Sequence, residues 1–534
     1  MPDLRGLGVS PGRTAGPVLL MAAAPALPPP GPPLSTEAGT AAVAAALSAV
    51  AAELDRRAGR AGGEARDILE SQAMMAADPT LLEAAEEHVI GGMDAAHALD
   101  AAFTGHRAAL VAAGGYFAER AADLDDLRNR AVAAVLGLPM PGVPDPGHPF
   151  VLVAEDLSPA DTAGLSEDVL ALVTEKGGPT SHTAILARGR GLPAVVACAG
   201  ALTLEEGTLV SVDGATGEIR TGLDGPAAEE VRHRAEAERA KLAHSRGPGR
   251  TADGHPVKLL LNIGSAGDLA PEAEGVGLFR TELLFLDRRT APGFEEQVAA
   301  YAAVFKSVPD AIVRTLDAGT DKPLPFLELP VEPNPALGIR GLRVDRLRPD
   351  VLDTQLAAVT EAARATGAEP AVMAPMVSTP REAARFAGRA RAAGVRRVGV
   401  MIEVPAAALL AEAILAEVDF LSIGTNDLGQ YAFAADRQHP ALADLLDPWQ
   451  PALLRLVEMC AAAGRGAGKP VGVCGEAAGD PRLAPVLVGL GVTSLSMSAV
   501  CVPAVREALA GHTLEECRAG AEAALQRDHA NGVV

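Results

Sequence analysis

The strongest constraint on how this chain can fold is a repeat in its C-terminal half. Eight apolar, strand-length runs follow one another there: Val257–Ile263, Gly275–Phe279, Ala311–Leu316, Ala371–Met376, Arg397–Ile402, Val418–Ile423, Pro470–Val473 and Ser494–Met497. Helical stretches separate most of them. Eight β/α repeats in succession predict a (β/α)8 barrel over residues 251–534. Periodicity alone leaves an open doubly wound sheet as the alternative.

A (β/α)8 barrel collects its reactive groups at the C-terminal ends of its strands. Here those ends carry Asn262, then Arg280 and Glu282, then Arg314 and Asp317, followed by Asp321 and Lys322 in a loop. Glu332-Pro-Asn334-Pro leads on to Arg340 and Arg343. Glu403 ends the fifth strand, and Asn426-Asp427 the sixth, with Arg437 beyond it. Cys474-Gly-Glu476 ends the seventh, and Ser496 and Ser498 lie at the eighth. Arginines match phosphate and carboxylate oxygens bidentately. Carboxylates on neighbouring strands suit Mg²⁺, which takes one or two protein carboxylates and completes its shell with substrate oxygens. The set describes a pocket for a small phosphorylated acid held with a metal.

The N-terminal half reads differently. Leu4–Met21 alternates Gly/Pro turns with short apolar runs, as strands and turns do, and Pro25–Pro33 is a Pro-rich linker. Helical spacing then holds over Ala42–Arg60, Glu64–Ala77, Leu81–Ile90, Ala95–Ala113 and Tyr116–Leu136. Strand-like runs return at Phe150–Ala154, Val169–Thr174, Ala194–Val196 and Thr208–Val212, with a helix predicted at Thr183–Arg190. The helical unit is thus expected to be inserted into a small α/β domain. Pro226–Ser245 reads as a charged helical connector. His182 sits in Gly177-Gly-Pro-Thr-Ser-His-Thr183, in the first turn of a helix that Thr180 or Ser181 can cap. The positive helix end disfavours imidazolium and favours an attached phosphoryl dianion. A lone His at a helix start is most often structural, and the phosphate pocket elsewhere in the chain is what lifts it above that reading.

Composition narrows the partners. With 534 residues the chain needs several cores. Its formal net charge of −22 argues against a nucleic-acid or anionic-membrane surface. Five cysteines, an odd number without CxxC pairing, read as reduced thiols of a cytoplasmic protein. No signal-like start is visible and the mid-chain apolar runs are broken by charge, so neither secretion nor membrane insertion is expected.

The segment GGPTSHTAILARGRGLPAVV resembles the phosphohistidine signature of the enzyme I family of the bacterial phosphotransferase system, a signature shared with pyruvate phosphate dikinase and phosphoenolpyruvate synthase. GLFRTELLFLDR, RTLDAGTDKPLPF, NPALGIRGLR, MIEVPAA, DFLSIGTNDLGQYAFAADR, VGVCGEAAGD and SLSMSA are similar to that family's phosphoenolpyruvate-binding barrel, and the likeness covers nearly the whole chain. Domain order favours enzyme I, since the stretch before the histidine is mostly helical and has no ATP-grasp pattern.

The resemblance implies an α/β, multidomain chain: a swivelling phosphohistidine domain (1–35 and 138–225), an inserted helical subdomain that docks a histidine-containing phosphocarrier protein (36–137), a helical linker (226–250) and the barrel (251–534). It implies phosphoenolpyruvate–protein phosphotransferase activity, with pyruvate released, as the first step of sugar uptake. By motif, His182 resembles the phosphorylated histidine and Thr162 a hydroxyl that orients its ring. Arg280, Arg314, Lys322 and Arg340 resemble phosphate-binding residues, and Asn426 and Arg437 further substrate contacts. Glu403 and Asp427 resemble the Mg²⁺ ligands, and Cys474 the active-site thiol. A homodimer through the barrel is likewise implied. Thr320 departs from the pattern, standing where the family often has Gly or Ala before Asp-Lys.

Overall fold

The computed structural model describes residues 3–22, 24–31, 35–59, 63–113, 121–157, 165–166, 168–178, 181–286, 288, 290–322, 324–437 and 439–526. The chain divides into two compact units. One comprises Met1–Gly177, Ser181–Ala187 and Leu192–Arg232, the other Gly178–Thr180, Arg188–Gly191 and His233–Val534.

In the first unit, β1 (Leu4–Arg5), β2 (Leu7–Ser10), β3 (Arg13–Leu20), β4 (Phe150–Ala154), β5 (Val169–Thr174), β6 (Ala194–Val196), β7 (Leu209–Asp213) and β8 (Glu218–Arg220) form one sheet. Its order is β1-β8-β7-β3-β4-β5-β6-β2. β3 runs parallel to β4 although the helices lie between them in sequence. Alternate residues of β4 enter different cores. Phe150, Leu152 and Ala154 pack with Val169, Leu172 and Ala184, whereas Val151 and Val153 pack with Val18, Val173 and Val210. Burial on both faces is why the strand reads as an unbroken apolar run.

Between β3 and β4 the described residues form the helices Thr36–Ala58, Gly63–Ala76, Pro79–Ile90, Ala95–Ala113 and Ala121–Val135. The first begins at Thr36 rather than Ala42 because Ser35 Oγ accepts from Ala38 N–H and caps it. Asp78 caps the third in the same way, with Pro79 at the first helical position. The expected start of the last helix, at Tyr116, falls among residues 114–120, outside the described residues. Val43, Leu47, Val50 and Leu54 recur at helical spacing and join Leu81, Leu99, Phe103 and Leu127 in one core. Gln72 is 2% exposed and donates to Asp123 Oδ1 at 3.0 Å, so it acts inside the bundle. Among the described residues Thr36–Ala58 alone is long and apolar enough to cross a membrane by length and composition. Much of its apolarity is alanine, and its larger apolar side chains face the bundle core.

The second unit contains β9 (Lys258–Ile263), β10 (Val276–Arg280), β11 (Ile312–Arg314), β12 (Ala371–Ala374), β13 (Arg397–Ile402), β14 (Phe420–Ile423), β15 (Val471–Val473) and β16 (Ser494–Met497). Every neighbouring pair is parallel, and β16 pairs with β9, which closes the barrel and excludes the open sheet. Leu278, Ala371, Met373, Met401, Phe420 and Cys474 form a cluster of their own. A larger core lies between strands and helices, with Val313, Leu356, Val400, Ile414 and Val457 among its members. All five cysteines are free and buried.

Candidate active site

Parallel register brings the strand ends side by side. Arg280 is paired with Arg314, Arg314 with Met373, and Ile402 with Ile423. Glu403 follows β13 directly, and Asp427 lies in the first turn of helix Thr425–Phe433, which begins just beyond β14. Asp317 follows β11. Carboxylate oxygens of Asp317, Glu403 and Asp427, all three buried, lie within 4.8 Å of one another.

Cations surround this triad. Arg314 reaches Glu282 at 2.7 Å, Asp317 at 3.6 Å and Glu403 at 3.9 Å. Arg340, 1% exposed, reaches Asp321 at 3.0 Å, Asp427 at 3.2 Å and Asp317 at 3.3 Å. Lys322 Nζ lies 3.2 Å from Asp317, and Arg437 Nη1 lies 3.6 Å from Asp427. A guanidinium as buried as Arg340 survives only with such partners. Burial works against the Arg340 charge, but Asp317, Asp427 and Asp321 outweigh it and hold the group more basic than usual. Burial likewise works against an ionised Asp317, yet Arg314, Lys322 and Arg340 keep its carboxyl well below the ordinary range.

Glu403 goes the other way. Burial, then Asp317 and Asp427, push it up to about 7, against the pull of Arg314 and of the Met376 N–H. That N–H meets Glu403 Oε2 at 2.8 Å, from a residue held at φ +58°. A left-handed Met costs of order 1 kcal/mol, and this one aims a donor at the carboxylate. Three converging carboxylates, one of them reluctant to ionise, fit a divalent cation, whose charge would relieve the repulsion. Oxygen donors on a rigid barrel rim are also the donor set Mg²⁺ prefers. Arg314 Nε and Arg340 Nε are buried without a hydrogen-bond partner, which leaves each guanidinium a donor for an anion.

Cys474 is 3% exposed, and its Sγ lies 3.6 Å from Ile423 O. Its carbonyl accepts from Asn262 Nδ2 at 3.0 Å. Burial pushes the thiol up to about 11, with Glu403 adding like charge. Burial and Glu403 thus keep the thiol protonated, and the Glu476 N–H donates to Asn426 Oδ1 at 3.1 Å. Arg280 is exposed at the end of β10.

The barrel thus links Arg314, Lys322, Arg340, Arg437, Glu403 and Asp427 through ion pairs. His182 belongs to the first unit and opens helix His182–Arg190, one residue ahead of the expected start, and Ser181 Oγ accepts from Ala184 N–H at 3.3 Å. Thr162 and the candidate cap Thr180 lie outside the described residues, as does the His182 side chain. Three contributors had no role assigned from sequence, although Asp317 and Glu282 were placed at strand ends. Asp317 is the third carboxylate. Glu282 pairs with Arg314 and accepts from Asp317 N–H at 3.1 Å. Tyr431, one helical turn after Asp427, accepts from Arg340 Nη1 at 3.4 Å. The i, i+4 spacing from Asp427 was the available signal for Tyr431.

Known proteins resemble this chain along most of its length. The profile of the PEP-utilising enzyme, PEP-binding domain, matches residues 237–514, that of the mobile domain 146–217, and that of the N-terminal domain 5–120. The phosphoenolpyruvate-protein phosphotransferase of Streptomyces coelicolor is 53% identical over 99% of this chain and 97% of its own length. That of Haloferax volcanii is 41% identical over 89% of this chain and 87% of its own. The multiphosphoryl transfer protein of Xanthomonas campestris is 40% identical over 91% of this chain and 60% of its own. The three matching family profiles, and two phosphotransferases alike along most of their length, place this chain in the PEP-utilising enzyme family, among the phosphoenolpyruvate-protein phosphotransferases.

Proposed function

We propose that the chain takes the phosphoryl group of phosphoenolpyruvate onto its own His182, releases pyruvate, and hands the group to a histidine-containing phosphocarrier protein as the first step of sugar uptake. The observation that carries this reading is the buried triad Asp317, Glu403 and Asp427 ringed by Arg314, Arg340 and Lys322. In the assignment of labour, residues 1–35 and 138–225 carry the phosphohistidine, 36–137 dock the carrier, 226–250 connect, and 251–534 bind phosphoenolpyruvate. Incubating the protein with labelled phosphoenolpyruvate and Mg²⁺ tests it. Acid-labile label on the protein, with pyruvate in equal amount, is expected, and unlabelled protein would refute it.

Each residue then has a task. Arg280, Arg314, Arg340 and Lys322 hold the phosphoryl oxygens in line with the incoming histidine nitrogen, and Asn426 and Arg437 hold the rest of the substrate. Thr162 keeps the His182 ring oriented. Glu403 and Asp427, with Asp317 beside them, would hold Mg²⁺. When bound, that ion would neutralise charge on the phosphoryl and enolate oxygens. Breaking the P–O bond while the N–P bond forms leaves an enolate, whose terminal carbon takes a proton to become the pyruvate methyl. Cys474, protonated at neutral pH, is assigned as the donor.

Cys474→Ala should therefore still bind phosphoenolpyruvate but lose facial selectivity in placing the new proton. Turnover of substrate stereospecifically labelled at the methylene, run in isotopic water, reads this directly. Single-face protonation by the mutant would mean that another group delivers the proton.

The five free, buried cysteines suit the reducing cytoplasm. We also propose that two chains associate through the barrel. Sedimentation at micromolar concentration is expected to give twice the 54.3 kDa chain mass, and a monomer under all conditions would discard the dimer.

A further inference from the structure

Two loops beside Arg340 are joined through one carboxylate. Thr320 Oγ1 donates to Glu332 Oε2 at 2.5 Å, and Ile339 N–H lies 3.0 Å from Oε2 and 3.1 Å from Oε1. Thr320 belongs to the loop that carries Asp317, Asp321 and Lys322, whereas Ile339 immediately precedes Arg340. Backbone pairing reinforces the join, because Gly319 bridges both Lys322 and Arg340. The fit leaves no room for side chains. A Cβ on Gly338 would lie 1.8 Å from Glu332 Oε2, and one on Gly319 would lie 2.3 Å from Arg340 Cβ. A second tie comes from helix Thr425–Phe433, where Tyr431 donates its hydroxyl to Ala336 O.

Glu332 forms no ion pair with the site's cations among the described residues, so its effect on the site is not electrostatic pairing. Its hydrogen bonds run to the hydroxyl of one loop and the backbone of the other. Those bonds fix the backbone from which the Arg340 side chain departs. A shift of that backbone by a fraction of an ångström would move a guanidinium that reaches three aspartates at once.

We propose that Glu332 is a positioning residue for substrate binding: together with Thr320 it clasps the loop before Arg340 to the lysine loop and so sets where the Arg340 guanidinium meets the substrate phosphate. This rests on the assignment of Arg340 to that phosphate.

The test uses the full chain, with pyruvate release for KM and kcat and calorimetric binding of phosphoenolpyruvate with Mg²⁺ for affinity. Thr320→Val removes only the hydroxyl, and should raise KM about 5-fold while kcat stays within about twofold. Thr320→Ser should restore the wild-type KM. Glu332→Gln keeps an acceptor and should change KM about twofold, whereas Glu332→Ala should raise it about 10-fold or more. Thr320→Val combined with Glu332→Ala should be no worse than Glu332→Ala alone, because both remove one contact. Thermal unfolding is recorded for each variant. Lowered unfolding temperatures with unchanged KM and affinity would reduce the clasp to ordinary loop stability and overturn the proposal, as would a Thr320→Ser variant that behaves like Thr320→Val. Wild-type protein that binds phosphoenolpyruvate but transfers nothing would refute the proposed function, while the affinities of the variants would still decide the clasp.

Discussion

Replacing His182 with alanine should abolish phosphoprotein formation from phosphoenolpyruvate altogether, while binding of phosphoenolpyruvate with Mg²⁺ stays near the wild-type affinity. The reason is spatial. His182 belongs to the first unit, and every ion pair cited for the binding site lies within the second. The substitution removes the assigned nucleophilic nitrogen outright, so loss of label should be complete rather than graded. The substitution removes nothing from the helix cap, which Ser181 provides through Ala184 N–H, so the fold should persist. Isotope incorporation into acid-labile product and calorimetric titration of the same preparation separate the two halves of the claim. Label persisting on the alanine variant would mean that another residue carries the phosphoryl group. Affinity lost together with the label would mean that the two units do not divide the labour as assigned.

The barrel was readable because parallel strands buried on both sides keep an apolar run going, and the strands β9 to β16 fall inside or beside the predicted runs. The ends were less readable, for a physical reason visible in β11. The apolar run continues to Leu316, but the ladder stops at Arg314. Beyond it, Leu316 N–H leaves the sheet to donate to Gln355 Oε1 at 2.9 Å, a side chain forty residues downstream in round terms. No local pattern announces such a partner. The same holds for the third carboxylate. All three carboxylates follow strand ends in sequence, but Glu403 and Asp427 follow the adjacent strands β13 and β14, whereas β12 separates the β11 end of Asp317 from them, so its approach shows only in the closed barrel. Thr320, a departure from the family's pattern in sequence, turns out to be a hydrogen-bond donor to Glu332. Helix starts were misjudged where a cap outside the apolar pattern, such as Ser35, sets the boundary.

Removing either proposed metal ligand should raise the Mg²⁺ concentration for half-maximal activity sharply and lower turnover about 10²-fold or more, if the ion stabilises transition-state charge by several kcal/mol. The isosteric changes Glu403→Gln and Asp427→Asn make the cleanest test. Glu403 accepts the Met376 N–H, and a glutamine oxygen can accept the same bond, so the strained Met376 backbone keeps its partner. Glu403 is also the carboxyl that burial, Asp317 and Asp427 push up to about 7, so neutralising it removes repulsion and should not cost stability. Asp427→Asn takes one partner from Arg340 and from Arg437, but Asp317 and Asp321 still face Arg340. Both variants should therefore fold, and their defect should appear in the metal titration. Asp317→Asn should behave differently. Asp317 is the common partner of Arg314, Lys322 and Arg340, and burial is overcome there by those three cations. Its loss should release the phosphate-binding groups and raise the KM for phosphoenolpyruvate more than the Mg²⁺ requirement. Unchanged Mg²⁺ titration curves for both Glu403→Gln and Asp427→Asn would sink the ligand assignment. A larger metal defect in Asp317→Asn than in either would transfer the ligand role to Asp317.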